Sequence, residues 1–223
     1  MDTDDDQSIM EDVLALWFSA REHDAPGIDA RMEFWFGEDP ELDIQIRHKF
    51  GKLISDASEG RLNRWAETAE GRLALILLID QFRRNIYRGK PEAFALDREA
   101  LKLCVEGAIA GHDKELPPLK RAFFYMPMQH VESRKVQEKS VAVFRSLAES
   151  VSGTELDTFE TFADFAELHR DIVAQFGRFP HRNAILGRES TELEREYLQD
   201  APDFGQSVPD YACSASAVSL SVC

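Results

Sequence analysis

An all-α fold follows from three features of this sequence. Apolar residues recur with a helical period along most of the chain, no alternating run demands a strand, and Gly and Pro residues interrupt the pattern between segments. A length of 223 residues, 43% apolar and 30% charged, suits one globular domain with a substantial core. The pattern reads as antiparallel helix pairs joined by short loops. No residue-level repeat is present, so periodicity leaves bundle and solenoid open.

Ser8 with Glu11 reads as a capping box opening a first helix whose inner face is Val13, Leu14, Trp17 and Phe18. A loop with Pro26 and Gly27 follows. Asp39 then caps a helix with Pro40 at its first position, and Leu42, Ile46, Phe50, Leu53 and Ala57 line one side until Gly60. Thr68 caps a third long helix, from about Ala69 to Tyr87. Because Leu73 to Ile79 is apolar on nearly all sides, that helix is expected at the centre of the fold.

Gly89-Lys90-Pro91 turns the chain into a helix carrying Phe94, Leu101, Cys104, Val105 and Ala108 toward Gly111. Pro117 and Pro118 break the chain again. A segment from Arg121 to Tyr125 leads to a kink at Pro127, and Val136 to Ala148 reads as helix. After Gly153 the residues Phe162, Phe165, Ala166, His169, Ile172, Val173 and Phe176 form a long stripe that ends at Gly177. Thr191 with Glu194 gives a second capping box, for a last helix through Leu198. The expected organisation is an acidic tail (1–7), one helical domain (8–200) and a disordered Ser/Ala/Pro-rich tail (201–223).

A net charge of -15 argues against nucleic acid and anionic membrane as partners. The start is acidic where a secretory leader would be basic and then apolar, and no run reaches bilayer length, so the expected location is the cytoplasm. Cys104 reads as a small core residue, whereas Cys213 and Cys223 lie in the tail. No disulfide, metal or cofactor is predicted.

Three strings stand out: Asp80-Gln81-Phe82-Arg83-Arg84-Asn85, Phe124 to Glu132 around Pro127, and Phe176 to Asn183 around Pro180. Each sets titratable side chains among large apolar ones, a combination that surface loops seldom need and that cores admit only when charges are paired. Together with Leu186-Gly187-Arg188, and running from about Val13 to Leu198, these strings resemble the family called domain of unknown function 924. The resemblance implies a tetratricopeptide-like helical array, which selects solenoid over bundle, and it implies no established activity. Arg83 stands where the family pattern has proline, so the central helix is expected to continue more smoothly here.

The expected site brings the three strings together around an anionic small molecule or an acidic peptide end. Arg84, Arg178 and Arg182 hold the negative group, Asp80 orients Arg84, and Asn85, His130 and His181 set orientation. Asn183 caps a short following helix whose amides face the anion, and Phe124, Tyr125 and Phe179 form the walls. A second reading is an enzyme in which His130 or His181 is the general base and Glu132 its partner, on a phosphate- or carboxylate-bearing substrate. A third has the same groups as an internal polar network that locks helix packing. His169, alone on an apolar stripe, reads as a core histidine bonded to a neighbour.

Overall fold

Helix α1 (Thr3–Leu14) runs on into a π-helical turn, Ala15–Ser19, with Val13, Leu14, Trp17 and Phe18 buried as their spacing predicts. It begins five residues before the Ser8 capping box, so residues 3–7 are helix and not tail. Asp6 accounts for the difference: it is buried and accepts hydrogen bonds from Arg64 at 2.5 and 2.6 Å, which ties the first turn to the body of the protein. The computed structural model describes residues 3–19 and 28–206, and within them all regular structure is helical. The Pro26-Gly27 loop, Cys213, Cys223 and the stretch from Ser207 onward lie outside the described residues.

Helix α2 (Ile28–Phe36) has no counterpart in the sequence reading, because Phe34-Trp35-Phe36 is a continuous aromatic run without a helical period. Asp39 then accepts from the amides of Glu41 and Leu42 and starts α3 (Pro40–Ser58). Its buried face is Leu42, Ile46, Phe50 and Ile54. Gly60, at φ +75°, follows the helix end.

Helix α4 spans 69–86 and is the axis of the molecule. Thr68 caps it by accepting from the Gly71 amide, and residues 73–79 are 0–5% exposed. A π-helical segment, Leu77–Gln81, interrupts it, with the Phe82 amide bonded to the Leu77 carbonyl. The widened turn carries Asp80 and Gln81, and the helix continues through Arg83 to Ile86. Arg83 is buried and donates to the Glu92 carbonyl at 2.7 and 3.1 Å, where a proline would have had nothing to offer.

The helix expected from Pro91 is divided. A 3-10 turn, Pro91–Ala93, precedes α5 (Asp97–Ala110), which stops at Gly111 with φ +86°. Val105 is 44% exposed rather than inward, because the buried face of α5 runs through Ala100, Cys104 and Gly107. Helix α6 (Pro118–Tyr125) leads into a single turn, Pro127–His130. His130 therefore ends a helical turn, and Glu132 sits in a bend ahead of α7 (Arg134–Glu149). Helix α8 (Leu156–Phe176) packs along α7 as a hairpin and stops at Gly177, φ +73°. Helix α9 (Glu192–Tyr197) has the predicted Thr191–Glu194 capping box.

Phe123 is the hub of the core. Its fully buried ring meets Trp17, Phe18, Trp35, Phe36 and Phe162 at centroid distances of 5.0–6.2 Å. Cys104 is buried, and burial pushes its thiol up to about 12. Among the described residues no helix is long and apolar enough to cross a membrane.

Candidate functional site

Beside this core, the three strings meet around a cavity of about 280 Å³. The string on α4 contributes Gln81, Arg84 and Asn85, the Pro127 string contributes Met126, Gln129 and His130, and the Pro180 string contributes His181 and Arg182. Aromatic walls come from Trp35, Phe36, Phe94, Phe162 and Phe165, and residues 202–206 cross one side.

The floor is a chain of opposite charges. Asp80 is fully buried and accepts from Gln81 (2.6 Å), Arg84 (3.0 Å) and His130 Nδ1 (2.8 Å). Burial opposes its charge, but Arg84 and His130 outweigh burial and hold the carboxyl down to about 2. Arg84 also bonds Asp97 Oδ1 (2.8 Å), and Arg182 bonds Asp97 Oδ2 (2.9 Å). The Arg182 guanidinium lies between the Phe94 and Phe179 rings, 4.4 and 4.5 Å from their centroids. Two carboxylates thus balance two guanidinium groups.

Three imidazoles line the same cavity, and all are neutral at pH 7. Since Asp80 is ionised, His130 carries its proton on Nδ1 and presents Nε2 as the base; burial and Arg84 both depress its pKa. His169 donates Nδ1–H to the Phe165 carbonyl at 2.7 Å, and burial lowers its pKa to about 3. His181 falls to about 2, through burial and then Arg182. No three His, Cys, Asp or Glu side chains among the described residues are arranged to hold a metal ion.

Several predicted site residues do other work. Tyr125 donates to Asp113 at 2.7 Å and Phe124 is buried in the core, so neither walls the cavity; Phe179 lies behind Arg182. Arg178 is bonded twice to Glu194, at 2.6 and 2.7 Å, outside the cavity. Asn183 caps no helix. It occupies a turn, donating to Ser190 Oγ (3.0 Å) and accepting from Arg188 (2.9 Å), so the anion-binding helix start expected there does not exist. Glu132 does not partner His130 either. It accepts from Arg188 at 2.8 and 2.9 Å and from the Phe179 amide at 2.8 Å, and thereby holds the loop that delivers His181 and Arg182.

The carboxylate partner of His130 is Asp80, fifty residues away in sequence. Asp97 was also missed, for its role depends on partners 13 and 85 residues away and leaves no local signal. His169 bonds a backbone neighbour as predicted, yet its ring faces the cavity. Residues 201–206 are described here as part of the fold rather than as tail: Arg88 donates to the Gly205 carbonyl at 2.7 Å, and Gln206 is buried.

These features define an all-helical protein with a buried histidine–aspartate pair on an aromatic-walled cavity. Residues 13–202 match the family described as "Bacterial protein of unknown function (DUF924)", and the chain belongs to that family. A solved structure of a protein of unknown function from Agrobacterium tumefaciens is similar, with 34% identity over 87% of this chain and 99% of the other, at a TM-score of 0.74. No curated protein matches the chain.

Proposed function

We propose that the cavity binds a small, uncharged organic molecule bearing a hydroxyl or carbonyl group, and that His130 acts on it as a general base oriented by Asp80. The observation that carries this reading is the 2.8 Å bond from His130 Nδ1 to a fully buried carboxylate, with the other ring nitrogen free of any protein hydrogen bond among the described residues. A cavity of about 280 Å³ sits at the small end of ligand sites, roughly 300–1,000 Å³, which favours a small molecule over a peptide end.

The charge balance argues against a strong anion. Arg84 and Arg182 already balance the charges of Asp80 and Asp97, so an added negative charge would stand against two buried carboxylates, although Arg182 Nε has no hydrogen-bond partner among the described residues. An uncharged carbonyl or hydroxyl can instead reach the amides of Gln81 and Gln129 while its apolar part lies against Phe36 and Phe162. A second reading, binding of an anionic small molecule without turnover, is supported by the number of guanidinium groups near the cavity. The helix pairs are read as a tetratricopeptide-like array, for which the α7–α8 hairpin is the supporting unit.

Thermal shifts with a panel of neutral alcohols, ketones, amides, carboxylates, phosphates and short peptides test the proposal. A neutral compound at a hundred times its dissociation constant is expected to add about 2.7 kcal/mol. His130→Gln should keep that shift and lose any turnover. Shifts from phosphates or peptides alone would overturn the proposed ligand class.

A further inference from the structure

We infer that the cavity takes a ligand with two neighbouring, uncharged hydrogen-bond donors, of which a vicinal diol is the simplest, and that His130 and His169 each accept from one of them. Resting on the reading of the cavity as a site for a neutral ligand, this narrows that ligand from hydroxyl or carbonyl to paired donors. Both tautomers are fixed by protein partners. His130 donates Nδ1–H to Asp80 at 2.8 Å, and His169 donates Nδ1–H to the Phe165 carbonyl at 2.7 Å. In a neutral ring the other nitrogen is then an acceptor with no proton of its own. Neither Nε2 has a protein hydrogen bond among the described residues, and both side chains line the cavity.

The His169 ring is held in orientation as well. It packs against Phe179 and Phe204, at centroid distances of 5.4 and 4.7 Å, and with Nδ1 turned back to α8 the outer nitrogen is left for the cavity. The His130 and His169 centroids are 6.4 Å apart. Two hydrogen bonds of roughly 2.8 Å, joined through a short diol, cover that spacing. One hydroxyl has a single proton and serves one nitrogen, whereas a carbonyl has none and serves neither. An ammonium would bring in a charge that the site disfavours, just as burial, with Arg182 and Arg84 nearby, opposes a proton on His169.

The two imidazoles are not equivalent. A proton taken by His130 makes an imidazolium that faces the Asp80 carboxylate, while one taken by His169 would face only a neutral carbonyl. His130 is thus the base for one hydroxyl, and His169 holds the other without taking its proton. His181 has no hydrogen bond among the described residues to fix its tautomer, so it serves as donor or acceptor and does not set the ligand class.

Nitrogen NMR of the imidazole rings in the native chain at pH 7 should show the proton on Nδ1 in both His130 and His169; a proton on Nε2 of His169 would overturn the inference. Three probes of one shape then compare the donors: cyclohexanone, cyclohexanol and the cyclohexane diol with hydroxyls on adjacent carbons. The diol should shift both Nε2 signals along one saturation curve and bind about five- to tenfold more tightly than cyclohexanol, the factor one further hydrogen bond contributes. In His169→Phe, which keeps a ring against Phe179, the diol should lose that advantage while cyclohexanol binds as before. Equal or tighter binding of the alcohol or ketone, with a shift at His130 alone, would refute paired donors and leave the neutral-ligand reading standing. Binding of none of the three would rule out paired donors too, and binding of phosphate in their place would sink the neutral ligand as well. Shifts at both nitrogens from Zn2+ but not from the diol would assign the pair to a metal ion instead.

Discussion

Moving from pH 8 to pH 5 should cost this protein about 4 kcal/mol through His169 and His181 alone. Both are held neutral in the fold, at about 3 and about 2, mainly by burial, whereas an unfolded histidine titrates near 6.5. Between 6.5 and those depressed values the unfolded chain binds protons that the native chain refuses, so stability falls as pH falls. At pH 5 each histidine contributes about 2 kcal/mol of loss, while ordinary carboxylates remain mostly ionised. His130 shifts in the same direction and adds to the effect. Urea unfolding followed by tryptophan fluorescence measures it directly, because Trp17, Trp35 and Trp65 are all buried. In His181→Asn the loss between pH 8 and pH 5 should shrink by about 2 kcal/mol. A native chain that loses less than about 1 kcal/mol over this range, or an unchanged pH slope in His181→Asn, would refute the assignment of neutral imidazoles to the cavity.

Two further outcomes separate the residues that build the site from those that only resemble site residues. Arg182→Ala should cost about 3–5 kcal/mol in urea unfolding, since it strips one partner from buried Asp97 and vacates the space between two rings; Arg178→Ala, whose partner Glu194 lies outside the cavity, should leave the pH dependence set by His169 and His181 unchanged. Glu132→Ala should cost about 2–3 kcal/mol and raise hydrogen exchange at the Phe179 amide, because it removes the acceptor for Arg188 and for that amide together. Unchanged exchange would show that the loop holds without Glu132.

Local rules carried the helices whose ends have caps. Asp39 with Pro40, Thr68, and Thr191 with Glu194 mark starts that the structure keeps, and Gly111 and Gly177 mark stops, because each of those signals is a hydrogen bond or backbone preference complete within a few residues. The Ser8 start failed where a long-range pair, Asp6 with Arg64, added a turn. Helix α2 went unread because consecutive aromatics have no period to read.

For the site, the sequence by itself determined which segments matter: polar side chains crowded among aromatics are affordable only where charges pair around shared space, and all three such strings reach the cavity. It also determined, through the Arg84 spacing on α4, the i,i+4 bond to Asp80. What only the tertiary structure decided is who pairs with whom. Asp80 rather than Glu132 partners His130, Asp97 joins Arg84 to Arg182, and Phe204 packs against His169 and His181, because pairing of buried groups is fixed by distances across helices that no spacing along the chain encodes.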